Sequence, residues 1–165
     1  MKSLTLPSLI FAGLTLFFSN EVKSQSINFA SNKATVELPA SITVENKSDN
    51  LMGKFGANQD HSIEISFLPL PQNRDLSGVD FVKQQAAKKK ANIKETQGRV
   101  IFMESSGDSV RDGKTFRTVH WQIGVKEGAF VLTITAPVPM SKDFHEFLGA
   151  GLNQIVNTVS VNVLP

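Results

Sequence analysis

The sequence offers few side chains that could perform a reaction. It has three histidines, His61, His120 and His145, and no cysteine. The lack of cysteine excludes thiol catalysis, cysteine metal ligands and a lipid-modified cysteine anchor. The histidine spacings match no metal site, and no serine stands in a Gly-x-Ser-x-Gly elbow. We therefore predict no catalytic residue, no metal and no cofactor. The histidines are interpreted as ordinary surface residues, with a triad assembled in space around one of them as the alternative.

Small polar side chains occupy every second position of two strand-like segments. They are Thr118, His120, Gln122, Thr133 and Thr135. Alternate residues of a strand lie on one face of its sheet, so these side chains share a polar face. A third strand pairing nearby would add Glu64 and Ser66. We predict a ligand-binding surface that includes His120, Gln122 and Thr133, and the alternative is the solvated face that is common in antiparallel sheets.

A lysine-rich stretch is the densest positive charge of the chain. Within it, Lys83, Lys90 and Lys94 recur at helical spacing. We predict that these three contact a protein partner or an anionic surface, and the alternative is a solvated helix face. The formal net charge is only +2, so nucleic acid is not an expected partner.

The first half of the chain has the pattern of three strands and a helix. Apolar alternation over 34–38 resumes over 42–44, which predicts a short hairpin. Alternation over 63–67 predicts a third strand, and turn residues follow it over 72–75. Ser77 begins a capping pattern, and a helix is predicted over 78–95.

The second half repeats this order. A strand is predicted over 100–103, with a turn over 105–108. Alternation over 116–125 and 130–134 is the clearest hairpin of the sequence. Apolar residues at intervals of three and four over 144–159 predict an amphipathic helix.

Two glycines, Gly149 and Gly151, fall inside this last helix and predict a bend or a close backbone contact. The element order is β-β-β-α-β-β-β-α. Hairpins on both sides of the first helix favour an antiparallel sheet. The predicted fold class is α+β, with a single antiparallel sheet of about six strands packed with two helices.

Residues 1–24 have the pattern of a signal peptide. A basic start precedes an apolar run over 4–18, shorter than the roughly 20 residues of a membrane-spanning helix. Cleavage is predicted after Ser24, with an earlier cut near Ser19 or an uncleaved anchor as alternatives. We expect residues 25–165 to form one exported domain, periplasmic or secreted, without a stable membrane anchor.

Several segments together resemble a known superfamily. They are Val36-Glu37-Leu38-Pro39, the strand over 63–67, the helix opening over 76–85, the strand over 130–137 and the helix through 152–156. In this order they resemble the PsbP-like superfamily, in particular its DcrB-related branch of small exported bacterial proteins. Many bacterial relatives are lipoproteins, and this chain departs from them because it lacks the cysteine.

The resemblance implies a sandwich of antiparallel sheet and helices and a role without catalysis. Members of the superfamily are accessory subunits of photosynthetic complexes, binders of a small GTPase or envelope adaptors. Our leading hypothesis is an exported accessory or adaptor protein that binds another envelope or secreted protein. The alternative is a small-ligand-binding protein that uses the polar sheet face or a pocket between the sheet and the C-terminal helix.

Overall fold

A computed structural model describes residues 23–68, 70 and 75–162. The predicted signal peptide lies outside these residues except for Lys23 and Ser24, and the predicted turn over 72–75 lies outside them except for Asp75. Among the described residues, no helix is long and apolar enough to cross a membrane. The fold class is α+β with antiparallel sheets, as predicted, but the strand count and order differ.

Seven strands form the larger sheet, in the order β3-β4-β5-β9-β8-β7-β6. Every neighbouring pair in it is antiparallel. The strands are β3 Thr43–Asn46, β4 Leu51–Phe55, β5 His61–Leu68, β6 Lys94–Thr96, β7 Arg99–Arg111, β8 Lys114–Val125 and β9 Gly128–Pro137. The predicted third strand and the predicted hairpin of β8 and β9 are both confirmed.

A second, three-stranded sheet has the order β1-β2-β10. Its strands are β1 Ser24–Phe29, β2 Ala34–Pro39 and β10 Ser160–Val161. The predicted hairpin over 34–44 is therefore wrong, because β2 pairs with β1 while β3 pairs with β4 of the other sheet. Apolar alternation identifies which side chains are buried, and it does not identify which strands pair.

Helix α1, Gly78–Lys89, begins as predicted at Ser77, whose Oγ accepts a hydrogen bond from the Asp80 amide. It ends six residues before the predicted boundary. Lys90 is in the left-handed region with φ 52° and its amide donates to the carbonyls of Ala86 and Ala87, which terminates the helix. The following residues form strand β6 instead of a last helical turn.

Strand β7 continues through residues 105–108, so the turn predicted there is wrong. The chain turns at Asp112 and Gly113 instead, where φ is 50° and 72°. The pairing of β7 with β8 shifts register between Met103 and Ser105, so Glu104 lies in a β-bulge. The predicted strand over 100–103 is the first part of β7, and the bulge interrupts the alternation that would have indicated the rest.

The C-terminal helix consists of the α-helical segment Lys142–Glu146, the π-helical segment Phe147–Gly151 and the α-helical segment Leu152–Thr158. It packs with the three-stranded sheet on one face of the seven-stranded sheet and buries the larger apolar core there. Helix α1 packs on the opposite face over a smaller cluster that includes Val100, Phe102 and Ala129. The seven-stranded sheet is thus the middle layer of the fold.

Candidate functional site

One face of the seven-stranded sheet is divided into a covered part and an open part. Apolar residues at one end, among them Phe102 and Ala129, pack under α1. The rest of this face carries mainly polar side chains that are half-buried, with Val131 between Gln122 and Ser66. We call this part the open face and define it by Glu64, Ser66, Thr118, His120, Thr133 and Thr135.

The structure brings the predicted polar residues together in adjacent rows. His120 pairs with Thr133, and Thr133 pairs with Glu64 on the next strand. The His120 Nδ1 atom lies 2.9 Å from the Thr133 Oγ1 atom. Thr118 and Thr135 form an equivalent pair, with their Oγ1 atoms 2.9 Å apart. These cross-strand hydrogen bonds fix the side chains before any partner arrives.

The third predicted residue, Gln122, lies at the border of α1 and the open face. Its side chain is 6% exposed, so it belongs to the interior and not to the exposed surface. Among the described residues, none donates a hydrogen bond to the buried Gln122 Oε1 atom.

Glu104 is a site residue that the sequence did not reveal. The Lys89 ammonium donates to its Oε1 atom at 2.6 Å. This hydrogen bond, and a second from the Gln122 amide, hold the pKa of the Glu104 carboxyl below its ordinary value of 4.5. The charge of His120 acts in the same direction. Glu104 escapes detection because the bulge removes it from the alternating pattern, and no sequence signal marks a bulge there.

The three predicted contact lysines do not form one helix face. Lys83 lies on α1, where its Nζ atom is 2.8 Å from an Oε1 atom of Glu95. Lys90 follows the helix at its left-handed end, and Lys94 lies in strand β6. The helical spacing that grouped them does not apply, because α1 ends before two of the three.

His61 is a buried residue, contrary to the surface interpretation. It is 1% exposed, and its ring packs between Phe55 and Phe144 with centroid distances of 4.9 and 6.1 Å. Its Nε2 atom lies 2.7 Å from the Ser141 Oγ atom, and its Nδ1 atom lies 2.7 Å from an Asp60 Oδ1 atom. The contacts thus run from a carboxylate to an imidazole to a hydroxyl, as they do in a catalytic triad.

Three features indicate that these three side chains pack the core and do not form a reactive centre. The Nδ1 contact to Asp60 lacks hydrogen-bond geometry, so the carboxylate does not orient the ring. The Ser141 Oγ atom already accepts the Phe144 amide as a helix cap, at 3.2 Å. The imidazole is enclosed by aromatic rings, whereas a general base must reach the substrate. Elsewhere in the described parts of the chain, no three His, Asp or Glu side chains converge as metal ligands.

A cavity of about 430 Å³ lies between the C-terminal helix and the ends of β2 and β4. Pro39, Phe55 and Phe147 contribute apolar walls, and Asp143 and Glu146 contribute carboxylates. Its position corresponds to the sheet-helix pocket of the alternative hypothesis. It lies on the core side of the sheet, away from the open face.

Comparison with known proteins identifies the fold alone. No protein-family model matches the sequence, and no curated protein is significantly similar to it. A crystal structure from Bacteroides thetaiotaomicron is similar with a TM-score of 0.60 at 11% identity, over 84% of this chain. The match covers 48% of the Bacteroides chain, so this protein spans about half of its length.

Two other solved structures are more distant neighbours. Cyanobacterial PsbP from Synechocystis has a TM-score of 0.35 at 11% identity, over 86% of this chain and 94% of its own. The Ran-binding protein Mog1p of Saccharomyces cerevisiae has a TM-score of 0.45 at 10% identity, over 85% of this chain and 96% of its own.

Proposed function

We propose that this chain is an exported accessory protein that binds another envelope or secreted protein through its open face, without catalysis. The signal-peptide pattern of residues 1–24 supports export to the periplasm or the exterior. The segments that resemble the PsbP-like superfamily, and its DcrB-related branch in particular, support an adaptor role.

The observation that carries the proposal is a polar sheet face whose side chains are already ordered. Cross-strand hydrogen bonds hold His120 to Thr133 and Thr118 to Thr135. A partner that lies across the open face would meet these polar groups in the positions that they already occupy. Ordering the face in advance lowers the entropy lost on binding.

The shape of the open face favours a protein over a small molecule. Small-molecule sites are concave and mostly apolar, and they enclose most of the ligand. The open face is a sheet surface of small, half-exposed polar side chains. Protein interfaces are polar at the rim and broad, so they suit such a surface better.

Site-specific photo-crosslinking in the host organism tests this function. A benzophenone amino acid replaces Thr118 on the open face, and in a matched control it replaces Glu127 in the exposed turn between β8 and β9. We expect one discrete crosslinked protein from position 118 and none from position 127. Mass spectrometry of that product identifies the partner.

Thr133→Val in the crosslinking strain separates specific binding from proximity. The variant keeps the side-chain volume but removes a hydroxyl of the open face, so we expect the product from position 118 to fall by about fivefold. An equal product from both positions, or one that Thr133→Val does not reduce, would contradict the proposed function.

A further inference from the structure

We propose that the cavity between the C-terminal helix and the ends of β2 and β4 binds a small organic cation, namely a primary amine attached to an aromatic or short aliphatic body. The cavity and the open face lie on opposite faces of the seven-stranded sheet. This inference is therefore independent of the proposed protein-binding function, and either can fail without the other.

The size and rigidity of the cavity suit a small ligand. Its volume of about 430 Å³ lies within the usual range of small-molecule sites. Phe55 and Phe147 stand side by side in its wall, with ring centroids 4.6 Å apart and an interplanar angle of 31°. Both rings are at least nine-tenths buried in the core, so this wall exists before a ligand enters.

The π-helical segment Phe147–Gly151 shapes the second wall. At its end the Leu152 amide donates to the Phe147 carbonyl, five residues earlier. A Cβ atom at Gly151 would lie 2.7 Å from the Phe147 ring and 3.2 Å from the Pro39 Cγ atom. Only glycine fits where these surfaces meet. Single π-helical turns occur frequently at functional sites.

The charges of the cavity select a cation. Asp143 and Glu146 line it, and none of its described lining residues is basic. The Asp143 Oδ2 atom accepts the Ala57 amide at 2.8 Å and so holds the adjoining loop. Glu146 is 64% exposed and its bond to Lys142 is a solvent-exposed pair at 3.3 Å. Such pairs are weak, so a ligand ammonium can replace Lys142.

The apolar wall suits the body of such a ligand. Pro39, Phe55 and Phe147 line the cavity beside Asp143 and Glu146, so an apolar body can lie against this wall while its ammonium group reaches a carboxylate. An anion of the same shape would instead meet two like charges. Charge complementarity therefore distinguishes an amine from the corresponding alcohol or carboxylic acid.

Titration of the ¹⁵N-labelled protein with phenethylamine tests the inference. We expect amide shifts concentrated at Ala57, Phe147, Ala150 and Gly151. The neutral analogue 2-phenylethanol should bind about fivefold more weakly, the usual upper effect of an exposed charge pair, and 3-phenylpropionate more weakly still. Equal binding of the three probes, or shifts concentrated elsewhere, would overturn it.

Two matched pairs of variants complete the test, with a melting curve for each. Ala150→Leu adds a side chain that lines the cavity. Gly149→Leu adds it at a neighbouring position, where no described atom lies within 4 Å of the Cβ position. We expect Ala150→Leu to weaken phenethylamine binding by about tenfold and Gly149→Leu to change it less than about twofold. Unchanged binding in Ala150→Leu would overturn the inference.

The second pair addresses charge and remains informative if Ala150→Leu does not fold. Glu146→Lys reverses a charge at the cavity, and Asp49→Lys makes the same change at an exposed position in the loop between β3 and β4. We expect only Glu146→Lys to weaken phenethylamine relative to 2-phenylethanol. Equal effects of the two variants would show a general charge effect and would overturn the proposed site.

Discussion

The Nε2 atom of His61 lies 2.7 Å from the Oγ atom of Ser141, which joins strand β5 to the first turn of the C-terminal helix. The two residues are 80 positions apart in the chain. Ser141 also caps the helix by accepting the Phe144 amide. One hydroxyl thus serves a helix terminus and a buried imidazole.

Ser141→Ala should therefore destabilise the protein more than the loss of an ordinary cap. We expect the free energy of unfolding to fall by about 2–3 kcal/mol, since the buried His61 Nε2 atom also loses its partner. Ser77→Ala, which removes the cap of α1 alone, should cost about 1 kcal/mol. Urea unfolding measures both, and equal losses would contradict the double role of Ser141.

Gly78→Ala should destabilise the protein by pushing α1 away from the sheet. A Cβ atom at Gly78 would lie 1.6 Å from the Gly128 carbonyl oxygen, a contact that backbone atoms cannot relieve locally. We expect a loss of about 3 kcal/mol or more in the free energy of unfolding. Gly107→Ala is the control, because no atom of the described residues lies within 4 Å of its Cβ position, and it should leave stability nearly unchanged. Similar melting temperatures for the two variants would contradict the close approach of α1.

Lys89→Ala should raise the pKa of Glu104 and flatten the acid dependence of stability. Because the folded-state pKa lies below the ordinary value of 4.5, Glu104 stabilises the fold above that pH and loses the contribution as pH falls through its folded pKa. The Lys89 hydrogen bond is the largest cause of the lowered pKa. Its removal moves the folded-state pKa of Glu104 towards the ordinary value and narrows the pH range over which stability is lost. A carboxyl ¹³C titration by NMR measures the change. Lys88→Ala is the control, and a Glu104 titration that moves equally in both variants would contradict the assignment.

Gln122→Met should lower stability and raise the pKa of Glu104. The variant keeps the side-chain volume but removes the amide that hydrogen-bonds the Glu104 carboxylate, so we expect the free energy of unfolding to fall by about 1–2 kcal/mol. Gln25→Met is the matched control, since the Gln25 Nε2 atom donates to the Ile42 carbonyl at 2.6 Å. It should cost about 1 kcal/mol and leave the Glu104 titration unchanged. A Glu104 pKa that Gln122→Met does not raise, measured by ¹³C NMR, would contradict this hydrogen bond.

The amino-acid sequence by itself determined the features that depend on near neighbours. The fold class, strand β5, the hairpin of β8 and β9 and the cap at Ser77 follow from alternation and capping within a few residues. The grouping of His120 and Thr133 on one polar face follows as well, because alternate residues of a strand lie on the same side of its sheet.

Only the tertiary structure decided which distant segments meet. It assigned β2 and β3 to different sheets, buried His61 against Ser141 and brought Lys89 to Glu104 across the bulge of β7. It also formed the cavity from segments as far apart as Pro39 and Gly151. The apolar periodicity of the sequence indicates whether a side chain is buried. Which residues it then contacts depends on segments that are far apart in the chain.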